Sequence, residues 1–89
     1  MSARRVGPVL LADSAGRAVL AAIAHENCDV IVVDRGGYIR VSTPSPCVAR
    51  RAVIEENFGA AFSLRADLEP CMPSFQGKLE LGDEVVRWL

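Results

Sequence analysis

Apolar and polar positions along the 89-residue chain separate into short blocks with two different periods. Val9 to Ala12 is a brief apolar run and reads as a first strand. Asp13 or Ser14 can then cap a helix, because a short polar side chain there accepts from the free N–H groups of a helix start. From Ala15 to Asn27 the apolar positions Val19, Ala22 and Ile23 fall near helical spacing, leaving Arg17, His25 and Glu26 to solvent. Gly16 lies in the first turn, where glycine is less favourable than alanine by about 1 kcal/mol.

The next block changes period. "DVIVVD" (Asp29–Asp34) is continuous and β-branched, which predicts a strand covered on at least one face. Arg35 and Gly36 make a tight bend. Gly37 to Ser42 returns as a second strand, with Tyr38 and Arg40 on one face and Ile39 and Val41 on the other. This hairpin is expected to supply Val33, Ile39 and Val41 to the core. "STPSP" (Ser42–Pro46) carries two prolines within three residues and is expected to break regular pairing. Cys47 to Ala49 can form a brief further strand.

Arg50 to Phe58 reads as a second helix with Val53, Ile54 and Phe58 roughly on one side, and Gly59 is placed to end it in a left-handed cap. Ser63 can cap a single turn through Asp67. Leu68 to Phe75, interrupted by Pro70 and Pro73, is expected to be extended. Gly77 and the Gly82–Asp83 pair mark bends. Glu84 to Leu89 alternates as a last strand, with Val86 and Trp88 sharing one face. Val53, Ile54, Phe58, Phe62 and Val86 read as core, and Trp88 joins them because a terminal strand needs a large apolar side chain to hold it down. The order β-α-β-β-(β)-α-β-β predicts an α/β fold: a two-layer sandwich with a mixed sheet and two main helices on one face. Residues 1–89 are expected to be a single domain.

Composition narrows the function classes. Half the residues are apolar, so the chain is no disordered tail. A domain of this length buries only about 60–65% of its unfolded surface, so the core is modest. Ten basic and eleven acidic residues nearly cancel, and no basic stripe exists; nucleic acid and acidic membranes are therefore not expected as partners. The longest apolar run, about Val19 to Ala24, is far below the ~20 residues that span a bilayer. "MSARRVGPVLLADSAG" has a charged start but its apolar part stops at Asp13, too early for a secretory signal, so a cytoplasmic protein is expected.

Catalytic constellations are missing from the pattern. Cys28, Cys47 and Cys71 are widely spaced, form no CxxC pair, and read as buried free thiols. His25, the single histidine, has no orienting partner in sequence and reads as a surface residue at a helix C-terminus. His25 and Cys28 supply two ligands where zinc needs four. Glu55 and Glu56 point about 100° apart on a helix and cannot share a substrate. No phosphate-binding loop is present; "RGGY" is a bend. No metal, flavin or iron–sulfur cluster is expected, and the chain is read as a binding protein and not an enzyme.

Three stretches taken together resemble one family. "VVDRGGYIRV" (Val32–Val41), "AVIEENFGAAF" (Ala52–Phe62) and "SFQGKLELGDEVVRWL" (Ser74–Leu89) occur in the order and approximate spacing of the small regulatory, or effector, proteins of bacterial multicomponent di-iron monooxygenases. "VGPVL" (Val6–Leu10) is similar to the opening of the toluene-type members. The resemblance spans nearly the whole chain. It implies a cofactor-free protein, monomeric when free, that docks on the hydroxylase component and couples electron delivery and oxygen activation to substrate hydroxylation. It implies docking by the bend Pro73, Ser74, Phe75, Gln76 and Gly77. Arg35 and Arg40 can pair with surface carboxylates at a rim, contributing little affinity but helping orientation, and Tyr38 beside the bend is an amphipathic side chain of the kind enriched at interfaces, so Arg35 and Tyr38 suit the same partner. Arg50 stands where members carry a Ser or Thr cap, the segment from Phe62 to Ser74 is about one residue longer than in the toluene-type members, and the N-terminus lacks the long tail of the methane-type members. A second reading is a small-ligand-binding regulatory domain of ferredoxin-like fold, which would need a polar pocket between helices and sheet.

Overall fold

In a computed structural model, which describes residues 4–89, the α/β class holds, but the strands form two antiparallel sheets and there are three helices. The elements in chain order are β1 (Arg5–Leu11), α1 (Ser14–Glu26), β2 (Ile31–Asp34), β3 (Tyr38–Pro44), β4 (Cys47–Arg50), α2 (Arg51–Phe58), α3 (Leu64–Cys71), β5 (Ser74–Gln76), β6 (Leu79–Leu81) and β7 (Val85–Trp88). One sheet has the order β2-β3-β1-β5 and the other β4-β7-β6.

The helix ends obey their local chemistry. Asp13 Oδ1 accepts from the N–H of Gly16 at 2.8 Å and starts α1. At the other end Asn27 bonds twice over: its amide nitrogen donates to the carbonyls of Ile23 and Val48, and its oxygen accepts from Val48 N–H. One side chain thus closes α1 and ties it to β4. Arg50 gives α2 no side-chain cap, as expected, and the N–H of Arg51 donates to the carbonyl of Glu84 at 2.8 Å instead. Gly59, at φ 79°, ends α2 in the left-handed conformation that glycine adopts without strain.

Four expectations change in three dimensions. First, Ser63 caps a full helix, α3, and not a single turn. Its hydroxyl accepts from Ala66 N–H while Asp67 accepts from the N–H of Ser63. Leu64, Leu68 and Cys71 are buried at spacings of four and three, a helical stripe that outweighs Pro70. Pro70 is tolerated because it sits in the last turn, where the helix ends anyway. Second, β3 runs through Thr43 to Pro44, with Thr43 buried opposite Val6, so the first proline of "STPSP" ends a strand without breaking it. Third, β6 is a separate strand between β5 and β7, pairing Leu79 with Trp88. Fourth, β2 is not covered as predicted: all four of its residues are exposed, and Val33 is outside the core.

The core itself gathers Val6, Leu10, Val19, Ile23, Ile39, Val41, Ile54, Phe62, Leu68, Val86 and Trp88, with Val53 and Phe58 partly buried against it. The rings of Phe58 and Phe62 meet edge to face with centroids 5.6 Å apart. Trp88 is fully buried, consistent with its anchoring role, and its indole N–H has no partner among the described residues.

The thiols divide unequally. Cys47 and Cys71 are buried, whereas Cys28 is exposed in the turn before β2. Burial pushes the Cys47 thiol up, partly offset by a hydrogen bond with Thr43, and burial aided by Asp13 pushes Cys71 up to about 11. A disulfide-exchange reagent at neutral pH should therefore label one thiol per native chain and three after denaturation. Because the folded value of Cys71 exceeds the 9.0 of a free thiol, the folded state retains this proton longer. Its contribution to stability is intact below pH 9 and lost as pH rises through about 11, which melting curves across that range will register.

Candidate interaction face

The four-stranded sheet has one face on the core and one face open. Residues sharing the open face are set by register: Arg40 lies opposite Val9 on β1 and opposite Val33 on β2, Tyr38 opposite Leu11, and Ile31 opposite Ser42. The result is an apolar surface with little polar cover. Tyr38 is 45% exposed, Ile31 47%, Val33 36% and Leu11 36%. Val32, on the opposite side of β2, is also 46% exposed, at the edge of the sheet. A continuous apolar strand bare on both faces and along its edge is a surface that proteins normally cover or blunt with charge.

The hairpin bend is built locally. Asp34 Oδ1 accepts from Gly36 N–H at 2.8 Å, Arg35 N–H donates to the Tyr38 carbonyl, and Gly36 takes φ 88°. Arg35 and Tyr38 are both exposed there. Arg5 braces the other end of the hairpin. Its guanidinium pairs with Asp29 Oδ2 at 3.0 Å and donates to the backbone carbonyls of Asp29 and Ser42.

The second candidate segment reaches the same sheet from far along the chain. In β5, Ser74 pairs with Val9, Phe75 with Pro8, and Gln76 with Gly7. Only β1 separates β5 from β3, so Ser74 and Gln76, opposite Val9 and Gly7, share the open face with Tyr38, whereas Phe75, opposite Pro8, turns to the other side of the β5 edge. Pro73, Ser74, Phe75 and Gln76 are exposed, Phe75 by 41%. Phe75 also borders a groove of about 290 Å³ between α3 and β6, beside Leu68, Met72 and Leu79. Gly77 differs from its neighbours. It is half-buried at φ 104°, and a Cβ there would lie 2.7 Å from the Leu89 carbonyl oxygen and 2.8 Å from Val6. Its glycine is required by the chain crossing beside Leu89, where Lys78 and Leu89 exchange backbone hydrogen bonds.

Between the two segments the sheet dips. Pairing of β1 with β3 is interrupted between Val6 and Val9, at Gly7–Pro8, where proline has no N–H to give. Gly7 carries no side chain and sits at φ 146° with its would-be Cβ only 2.3 Å from the Val41 carbonyl oxygen. A hollow of about 260 Å³ results, bordered by Gly7, Val9, Ile31, Val33, Arg40 and Gln76.

A further set of charged pairs ties the helices to the second sheet. Arg51 bridges Glu55 and Glu84, and Arg65 pairs with Asp83 at 2.8 Å, joining α2 and α3 to the β6–β7 turn. The hydrogen bond from Arg65 holds the Asp83 carboxyl below its usual value, and Glu84 raises the Arg51 guanidinium. These exposed pairs orient the turn and contribute little to stability. Among the described residues no group of three or more His, Cys, Asp and Glu side chains comes together as a metal site. Among them, too, no helix is long and apolar enough to cross a membrane.

An exposed, largely apolar sheet face around a shallow hollow, on a small α/β domain, is the kind of surface that marks a protein-interaction site. The family model for MmoB/DmpM matches residues 4–89, and the chain belongs to the MmoB/DmpM family. It is 38% identical to the effector subunit of the alkene monooxygenase system of Xanthobacter autotrophicus, over 99% of this chain and 88% of that protein. The fold matches a chain in the solved structure of a phenol hydroxylase–regulatory protein complex with a TM-score of 0.83, covering 96% of this chain and 97% of that one at 19% identity.

The sequence reading found both ends of this surface and Arg40 between them, but it placed Val33 in the core and did not single out Ile31. Ile31 and Val33 were available as a signal in "DVIVVD": a strand apolar at every position asks for cover on both faces. Among the described residues, those packed around β2 leave Ile31, Val32 and Val33 between 36% and 47% exposed.

Proposed function

We propose that the chain is the effector component of a monooxygenase system and binds the hydroxylase through the open face of the four-stranded sheet. The supporting observation is β2, whose Ile31, Val32 and Val33 are apolar and bare. On this reading Arg35, Tyr38, Ser74 and Gln76 contact the hydroxylase from the open face, Pro73 and Phe75 contact it from the β5 edge beside that face, and Gly77 shapes the backbone that presents them. The effector brings no catalytic group of its own. It shifts the hydroxylase toward the state competent for electron delivery and oxygen activation by binding that state more tightly than the alternative. Membership of the MmoB/DmpM family and the likeness to an alkene monooxygenase effector subunit support this reading.

The test is a titration of hydroxylase turnover with Phe75→Ala. Partly buried aromatics carry a large share of interface energy, so the expected loss of affinity is about 1–3 kcal/mol. Phe75 is 41% exposed in the free protein, so its melting temperature should move little. A variant that melts many degrees lower while activating normally in its folded fraction would assign Phe75 to the core.

A further inference from the structure

Arg40 stands in the middle of the open face without a counter-ion. Among the described residues Arg5, Arg50, Arg51, Arg65 and Arg87 each pair with a carboxylate, whereas Arg17, Arg35 and Arg40 make neither an ion pair nor a side-chain hydrogen bond, and of these three Arg40 is the one held within a strand between apolar register neighbours. Its register neighbours are Val9 and Val33. While the face is wet, water solvates the guanidinium. Once a partner covers the face that water leaves, and a charge enclosed among valines and isoleucine is strongly unfavourable unless it is paired.

The hollow beside it is shaped for the missing group. Gly7 leaves its floor open, Val9 and Ile31 are apolar walls, and no acidic side chain lines it. Resting on the docking reading above, we propose that this hollow receives a carboxylate-bearing side chain, Glu or Asp, of the hydroxylase, with Arg40 as its counter-ion. The planar fork of arginine matches a carboxylate with two parallel hydrogen bonds. The stem of the side chain lies over Gly7. Ser74 and Gln76, on the far rim, have side chains that make no hydrogen bond among the described residues and can donate to the same carboxylate. The apolar face thus supplies contact area, and the Arg40 pair supplies register.

The experiment titrates hydroxylase turnover with the wild-type effector, Arg40→Gln, Arg40→Lys and Ile31→Asp at several sodium chloride concentrations, alongside melting curves and sedimentation of each effector alone. Arg40→Gln is expected to raise the half-saturating concentration about 10- to 100-fold with an unchanged melting temperature. It should also flatten the salt dependence seen with wild type. Arg40→Lys, which keeps the charge and loses the fork, should fall between them. If Arg40→Gln stays within about twofold of wild type while Ile31→Asp is impaired, the carboxylate inference is overturned and the docking face stands. If neither is impaired, the docking face is wrong and the inference falls with it. If the free wild-type protein sediments as a dimer that Arg40→Gln dissociates, the occupant is a second copy of this chain, which also overturns the inference.

Discussion

Ile31→Asp should abolish most of the effector's action on its hydroxylase while leaving the effector folded. Ile31 projects from the edge strand onto the open face, opposite Ser42 and beside the hollow over Gly7. In the free protein an aspartate there is hydrated, and substitution at an exposed strand position changes stability by about 1 kcal/mol at most. In the complex the same carboxylate would lose its water and, lying on the same hollow as Arg40, would compete with the partner for that guanidinium. Losing the isoleucine contact and desolvating a charge together cost about 3 kcal/mol or more of binding, somewhat over a hundredfold in effector concentration. Turnover measured across a concentration series separates this from misfolding, because a folded variant with weak docking recovers activation at high concentration. Normal activation at wild-type concentrations would remove β2 from the interface.

Gly16→Ala should destabilise the protein, against the ordinary preference of helices for alanine. By propensity alone the change is worth about 1 kcal/mol in the stabilising direction. A Cβ built on Gly16, however, lies 1.8 Å from the carbonyl oxygen of Leu11 and 2.9 Å from its carbonyl carbon, both backbone atoms that cannot swing aside. The end of β1 and the start of α1 approach each other there, with Asp13 holding the N–H of Gly16 at 2.8 Å. Relief requires the strand and helix to separate, which strains the cap and loosens the packing of Val19 and Leu10, so the expected net loss is about 2–4 kcal/mol. Chemical denaturation of the variant reads this directly, with the midpoint falling at constant slope. A midpoint at or above wild type would mean that the contact relaxes cheaply.

These two positions mark the boundary of what local sequence can say. Asp13, Gly59 and Ser63 act within one turn of chain, through a cap or a left-handed bend, and each does what its residue type prescribes. Alternation in β3 and β7 put Ile39, Val41, Val86 and Trp88 on the inner face for the same reason: a strand's period is two, whatever lies beyond it. Pro70 misled because its effect depends on whether a helix is about to end, and that was set by Leu64, Leu68 and Cys71 finding the core.

Which apolar residues are left bare is another matter. The apolar run in "IVVD" asks for cover but does not say whether this chain or another supplies it. Strand order decided it: β2 joined the sheet only through β3, and α1 packed elsewhere. Likewise Gly7, Arg40 and Gln76 are neighbours only because β1 lies between β3 and β5. Most element types, most caps and the apolar anchors were legible in the chain's own pattern, and its resemblance carried the family. The strand left bare at the sheet edge, the glycines that cannot be replaced and the valines that flank Arg40 became visible only once the chain was folded. Those properties belong to pairs of segments distant in the chain, and neither segment of a pair holds them alone.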